Sequence, residues 1–277
     1  MTFKDILVYA DGGRSTAARL DVAATLAAQH ASRLTAIHVA VPPYVPFDLA
    51  GSIPGDLVQW QEDYQRDQSA AAAKAVEAAR RRNSCAIELL TLRGELGATV
   101  LGQSPCADLV VVGQRGTDDG ESLALDTLPE TLVLGSGRPV LVVPRDAKAT
   151  SIGKRVIVAW RATRESARAV HDALPLLTRA DWVTVLEVNP PRDSAVAHVG
   201  SADVVDHLRR HGVRVDSAPV SATGIDAGAV VLRRAEEHQA DLVIAGGYGH
   251  SRLREFALGG VTRHLLSNAK MAVLLSH

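Results

Sequence analysis

Two short apolar segments constrain the fold of this chain most strongly, because each joins an aspartate to a glycine through a run of β-branched and aliphatic residues. They are residues 108–113 (Asp-Leu-Val-Val-Val-Gly) and residues 241–246 (Asp-Leu-Val-Ile-Ala-Gly). Short continuous apolar runs of this kind are typical of strands that are buried on both faces of a sheet. Since the pattern occurs twice, we predict that the chain folds as two copies of one unit.

Strand and helix patterns alternate along the whole chain. Strands are predicted at residues 4–9, 34–39, 86–92, 108–113 and 139–144, and again at 155–159, 182–188, 213–220, 241–246 and 272–275. Segments with helical spacing of alanine and leucine separate them, which implies right-handed crossovers and a parallel sheet in each half. The predicted fold class is α/β, with two tandem five-stranded parallel-sheet domains at residues 1–145 and 154–277.

The two copies differ in length. Asp11, which follows the first strand, precedes Asp108 by 97 residues, whereas Arg161, at the equivalent place, precedes Asp241 by 80. The second copy is therefore 17 residues shorter, and most of the loss falls between its second and third strands.

Composition excludes several classes of protein. The 277 residues are 47% hydrophobic but only 4% aromatic, so the core must consist mainly of alanine, valine and leucine. A net charge of -1 gives no electrostatic basis for binding nucleic acid or an anionic membrane. No segment has the run of about 20 apolar residues that a membrane span needs, and the N-terminus lacks a signal-peptide pattern. Cys85 and Cys106 form no CxxC motif. We expect a cytoplasmic protein.

Glycine spacing in the second half indicates an anion-binding site. Gly246, Gly249 and Gly259 follow the fourth strand as Gly-x2-Gly-x9-Gly, and a predicted helix begins immediately afterwards. Glycine lets backbone N–H groups approach a phosphate closely, and the helix N-terminus adds a partial positive charge. Tight turns without a ligand would use the same residues, but the long spacing favours phosphate binding.

This arrangement resembles the universal stress protein family, in a tandem two-domain form, over nearly the whole chain. In that family each domain is a five-stranded α/β unit with strand order 3-2-1-4-5. Its ATP-binding members carry an acidic residue after the first strand and a Gly-x2-Gly-x9-Gly-Ser/Thr motif. The resemblance implies that ATP or a related nucleotide, with Mg²⁺ as its companion cation, binds in the C-terminal half. The residues it implies there are Ala159, Arg161, Gly246, Gly249, His250, Ser251, Gly259, Gly260, Val261 and Thr262.

The second half departs from the family pattern at two positions. Gly260 stands where the family has serine or threonine, and we expect Thr262 to supply the missing hydroxyl. Arg161 replaces the acidic residue, and a guanidinium donates hydrogen bonds but accepts none. It is either a surface charge or a group that favours an anionic ligand near the first strand.

The first half departs from the pattern elsewhere. Asp11, Gly113 and Gly116 match the family, but Asp126 replaces the third glycine in a loop rich in carboxylates. Carboxylates repel a triphosphate unless a divalent cation intervenes. We therefore expect Gly113 and Gly116 to form plain turns, and Asp11 is equally compatible with ligand binding and with capping the following helix.

Two functions remain open. The first is a nucleotide-responsive regulatory protein of stress tolerance, with at most slow ATP hydrolysis, because no general base stands beside the glycine motif. The second is an interaction or scaffold protein with an unidentified protein partner. His207 and His211 are spaced for a metal pair, but no complete ligand set is evident, and we expect no metal site.

The strand order 3-2-1-4-5 leaves each fifth strand as a free edge, which invites pairing. We predict that residues 140–143 and 272–275 pair with one another and make the single chain an internal pseudo-dimer. Further association of whole chains into a homo-oligomer is expected.

Overall fold

Strands and helices alternate along the chain in the structure, a computed structural model that describes residues 2–41, 57–114, 123–147, 152–189, 199–248 and 260–277. The first half contains β1 (Asp5–Tyr9), α1 (Thr16–His30), β2 (Arg33–Ala40), α2 (Leu57–Asn83), β3 (Glu88–Arg93), α3 (Leu96–Gln103), β4 (Leu109–Gly113), α4 (Leu123–Gly135) and β5 (Val140–Val143). The second contains β6 (Arg155–Trp160), α5 (Arg164–Asp172), α6 (Leu174–Leu177), β7 (Trp182–Val188), α7 (Ser201–Arg210), β8 (Val215–Val220), α8 (Ala227–Glu237), β9 (Leu242–Gly246), α9 (Gly260–Asn268) and β10 (Ala272–Ser276).

The described strands form one ten-stranded sheet in the order β3-β2-β1-β4-β5-β10-β9-β6-β7-β8. Each half has the order 3-2-1-4-5 with parallel neighbours, so the predicted fold class is confirmed. The halves meet where β5 runs antiparallel to β10, with Leu274 opposite Leu141. The predicted pairing of the two fifth strands is therefore confirmed.

Helices cover both faces of the sheet. One buried cluster lies beneath α1, α2, α5, α6 and α7, and the other beneath α3, α4, α8 and α9. Each cluster contains residues from both halves, so the core is continuous across the β5–β10 junction. None of the helices in the described part of the chain is both long and apolar enough to cross a membrane.

Two features of the helices refine the sequence analysis. The helical segment between β6 and β7 is divided into α5 and α6, because Pro175 has no N–H and its ring clashes with the carbonyl of the preceding turn. The second half is shortened mainly between its second and third strands, where α7 has 10 residues and the equivalent α2 has 27.

The strand register fixes which residues of the halves correspond. Ile6 of β1 lies opposite the first residue of β4, and Val156 of β6 lies opposite the first residue of β9. The chain then reaches Asp11 in one half and Arg161 in the other after the same number of residues. These two residues are therefore equivalent, as the sequence analysis assumed.

Candidate functional site

The candidate sites lie where β1 and β4 end side by side, and where β6 and β9 do so. Ligands of open parallel sheets bind beyond the carboxyl ends of the strands, where the strand order switches. Because β5 and β10 are antiparallel, the strands of the two halves run in opposite directions. The carboxyl ends of the strands, and the two candidate sites with them, therefore lie on opposite sides of the molecule.

Asp11, in the first half, is held by its own chain. Its Oδ1 accepts hydrogen bonds from the Gly13 N–H at 2.8 Å and from the Thr16 hydroxyl, and its Oδ2 lies 3.0 Å from Nη2 of Arg19. Burial raises the pKa of Asp11, but the charge of Arg19 and hydrogen bonds from Thr16, Gly13 and Arg19 lower this pKa below its usual value. Both carboxylate oxygens therefore have partners within the protein.

Arg19 is a buried cation beside Gly113, the last residue of β4. The residue is 3% exposed, its Nε donates to the Tyr9 carbonyl at 2.6 Å, and its guanidinium carbon lies 5.4 Å from the centre of the Tyr9 ring. A Cβ on Gly113 would collide with Nη1 of Arg19. The position that corresponds to Arg19 in the second half is Ala169, which carries no charge, and Glu165 and Ser166 of α5 lie against Gly246 there.

Arg161, in the second half, is exposed, and the structure gives its guanidinium no ion pair within the described ranges. Its carbonyl accepts a hydrogen bond from the Thr163 N–H at 2.6 Å, and Thr163 caps α5 through its hydroxyl. Ala159, two residues earlier, is half-buried in β6 between β7 and β9. Thus Arg161, which has no ion pair among the described residues, follows β6, whereas Asp11, which is paired with Arg19, follows β1.

The first two glycines of the second-half turn permit close packing. A Cβ on Gly246 would lie 2.5 Å from the Ser166 nitrogen and 2.7 Å from the Glu165 carbonyl carbon, at the beginning of α5. A Cβ on Gly247 would lie 2.7 Å from Cγ1 of Val133 in α4 of the other half. These glycines therefore have structural roles whether or not a ligand binds beyond them.

Replacing Gly246 by alanine is expected to lower the free energy of unfolding by about 2–3 kcal/mol, because the new methyl group meets rigid backbone. Urea unfolding of the variant measures the loss. Gly102→Ala is the matched control, since a Cβ there has open space and alanine favours the helix. If Gly246→Ala were as stable as the control, the close approach of α5 to β9 would be refuted.

Beyond these glycines, the turn after β9 forms a hydrogen bond with the first turn of α9. Tyr248 has a left-handed backbone with φ of 57°, and its N–H donates to the Thr262 hydroxyl at 3.4 Å. Thr262 is 3% exposed, Val261 packs against the apolar core, and Gly260 is exposed as the first residue of α9. The hydroxyl expected to replace the family's serine or threonine therefore stabilises the turn. The predicted site residues Gly249, His250, Ser251, Gly259 and Gly116 lie outside the described residues.

A carboxylate that the sequence analysis did not select lies beside the start of α9. Asp226 caps α8 by accepting from the Ala229 N–H at 3.0 Å, and its Oδ1 lies 3.4 Å from Nδ1 of His264. Its other oxygen, Oδ2, lies 3.7 Å from the position of a Cβ on Gly260. An aspartate before a helix predicts an N-cap, but no local pattern indicates that this one adjoins another helix.

The described residues contain no group of three or more histidine, cysteine, aspartate or glutamate side chains placed to hold a metal ion. The rings of His207 and His211 lie 4.7 Å apart and form a pair only. The charge of His171 is among the causes that lower the pKa of His207, after burial and the charges of His211 and Arg210.

Comparisons with known proteins agree with the fold. The model of the universal stress protein family matches residues 2–144 and again residues 153–277. A universal stress protein of Mycolicibacterium smegmatis is 23% identical over 282 residues, covering 98% of this chain and 96% of that protein. Universal stress protein Slr1230 of Synechocystis is 25% identical over 172 residues, covering 60% of this chain and 57% of that protein. The crystal structure of a universal stress protein from Archaeoglobus fulgidus matches with a TM-score of 0.74 and 16% identity, covering 98% and 96% of the two chains.

Proposed function

Because the chain belongs to the universal stress protein family, we propose that it is a nucleotide-responsive regulatory protein whose C-terminal half binds ATP or a related adenine nucleotide. The phosphates would lie over the glycine turn that begins at Gly246 and over the start of α9 at Gly260. We expect it to act in the cytoplasm as a homo-oligomer and to hydrolyse ATP slowly at most.

The contrast between the two halves carries this proposal. In the first half, Arg19 fills the space beside Gly113 and engages Asp11, so the chain occupies its own site. In the second half the residue equivalent to Arg19 is Ala169, the start of α5 packs against Gly246 instead, and Arg161 is exposed beyond the strand. The N–H groups at the start of α9 favour a phosphate, whereas Arg161 stands where the family's ATP-binding members have a hydrogen-bond acceptor for the nucleoside.

Mg²⁺ would enter with the triphosphate, because Mg²⁺ at nucleotide sites is held mainly by phosphate oxygens and water.

Replacing Arg161 by aspartate is expected to raise the affinity for ATP about tenfold. The substitution restores a hydrogen-bond acceptor for the ribose or adenine, and a hydrogen bond with a charged group is worth about 1.5–3 kcal/mol. Isothermal titration of the wild type and the variant with ATP measures the change. Equal or weaker binding by Arg161→Asp would mean that Arg161 itself holds the phosphates or lies outside the site.

Two controls place the ligand. Gly259→Asp copies the residue that the first half carries at Asp126 and adds a negative charge to the glycine motif, so it should weaken ATP binding. Mass spectrometry of small molecules released from the purified protein tests whether a nucleotide is retained. Unchanged affinity in Gly259→Asp would argue against a site in the C-terminal half.

An interaction protein without a nucleotide is the second candidate, and one observation favours it. The first turns of α2 expose Val58 (65%), Trp60 (45%) and Tyr64 (39%), and the two aromatic rings lie 6.2 Å apart. The shorter helix α7 of the second half has no such extension. Exposed aromatic side chains are common at protein interfaces. A folded wild-type protein that binds no adenine nucleotide would favour this function over the first.

A further inference from the structure

A cavity of about 360 Å³ is lined by residues of both halves, on the face of the sheet that α1 and α6 cover. The lining residues are Gln29 of the first half, and Ile152, Gly153, Lys154, Leu176 and Arg179 of the second. Pockets that bind small molecules have volumes of about 300–1,000 Å³, so this cavity is large enough for a small ligand. Lys154 precedes β6 and Arg161 follows it, so the cavity and the candidate nucleotide site lie at opposite ends of that strand.

Arg179 is a cation at this cavity whose charge is left uncompensated. It is exposed, and its guanidinium has no ion pair or hydrogen bond in the described part of the chain. Lys154 has only a loose partner, because its Nζ lies 3.9 Å from Oδ2 of Asp181, whose side chain is 70% exposed. The oxygens of the nearby Asp241 carboxylate accept from the N–H groups of residues 153–155. Two cations thus line the cavity, and one of them has no anionic partner.

The first half approaches Arg179 with a neutral base. His30, next to Gln29 at the end of α1, is 3% exposed, and neither of its ring nitrogens has a hydrogen-bond partner among the described residues. Its ring packs against that of Phe3, with 5.0 Å between the ring centres. Burial lowers the pKa of His30, and the charges of Arg179 and of the N-terminal amino group lower it further. A neutral imidazole provides no negative charge, so this side of the cavity does not compensate Arg179 either.

We propose that this cavity binds a small organic acid, with its carboxylate held by Arg179 and Lys154 and its apolar body against Leu176 and Ile152. A guanidinium and an ammonium group both form charge-assisted hydrogen bonds with a carboxylate. Leu176 and Ile152 pack in or against the apolar core, so they offer carbon surface to the remainder of the ligand. Because residues of both halves line the cavity, its ligand contacts the two halves at once.

Titration of hexanoate into the ¹⁵N-labelled full chain, followed by the amide NMR signals of residues 152–154, tests this inference. We expect these signals to shift until the site is saturated. Arg179→Gln should weaken binding about tenfold and Lys154→Gln about threefold, because each removes a charge-assisted hydrogen bond and Lys154 already has a loose partner. Hexanamide, which has the same length but no charge, should bind at least about tenfold more weakly than hexanoate.

Arg233→Gln is the matched control, because it removes an exposed arginine from α8, on the opposite face of the sheet. It should leave the affinity for hexanoate within about twofold. Inorganic phosphate should bind more weakly than hexanoate, since it buries no apolar surface against Leu176 and Ile152. Absence of a shift at millimolar hexanoate, equal binding of hexanamide or of phosphate, or unchanged affinity in Arg179→Gln overturns the inference. Circular dichroism confirms that each variant is folded, which is expected because the replaced side chains are exposed.

Discussion

Replacing Arg19 by methionine is expected to lower the free energy of unfolding by about 3–5 kcal/mol, the usual cost of removing one partner of a buried ion pair. The side chains of Arg19 and Asp11 are 4% and 16% exposed, so water screens the pair poorly. Methionine keeps much of the apolar length but leaves the Asp11 carboxylate without its cation and the Tyr9 carbonyl without the Nε donor. Urea unfolding followed by circular dichroism measures the loss.

The double variant Arg19→Met/Asp11→Asn is the control for uncompensated charge. It should recover a large part of the lost stability, since neither member then leaves a buried ion behind. A loss below about 1 kcal/mol in Arg19→Met alone would contradict the assignment of Arg19 as the group that holds Asp11.

The same pair makes the stability of the protein depend on pH. Folding lowers the pKa of Asp11, so the stabilisation is fully present above about pH 4, where an unfolded aspartate is ionised. It is lost as the pH falls through the lower pKa of the folded state. Wild type and Asp11→Asn should therefore differ most in stability near neutral pH, and acid titration should bring them closer together.

Replacing Leu274 by alanine is expected to cost about 2–5 kcal/mol, because the residue is fully buried at the β5–β10 junction. The core is continuous across this junction, so both halves should lose stability together. Trp60 reports on the first half, and Trp160 and Trp182 report on the second, so variants that keep only Trp60 or only Trp182 allow each half to be followed by fluorescence.

Leu134→Ala is the matched control for this experiment. It makes the same substitution at a residue that is 50% exposed, and it should cost less than about 1 kcal/mol. If Leu274→Ala moved the unfolding midpoint seen by Trp182 but not the one seen by Trp60, the two halves would be independent folding units.

The strands of the sheet could be predicted because the apolar runs that identify them are local in the sequence and occur in both halves. Continuous apolar runs such as residues 108–113 identify buried strands, and alternation with helices implies parallel pairing. The strand order came from the family resemblance, and the pairing of β5 with β10 followed from the free edges that this order leaves. The break between α5 and α6 was also available in the sequence, since Pro175 ends the preceding helix.

The site was less predictable because its contacts depend on how side chains pack in the folded chain. Arg19 lies in an alanine-rich helix whose pattern does not distinguish a buried cation from a surface one. Asp226 and Gly260 are separated by 34 positions, and only the packing of α8 against α9 brings them together. Thr262 had the correct chemistry for a phosphate ligand, but its orientation toward the Tyr248 N–H depends on the fold of the turn.

The antiparallel junction of β5 and β10 joins two similar halves of one polypeptide, much as a symmetric dimer joins two identical chains. When two identical chains form a symmetric dimer, any substitution appears in both copies at once. Here both partners belong to one polypeptide, so each position can change alone. The position equivalent to Arg19 holds Ala169, and the position equivalent to Asp11 holds Arg161. The tandem arrangement therefore allows one half to acquire an internal ion pair at the end of its first strand while the other keeps an exposed arginine there.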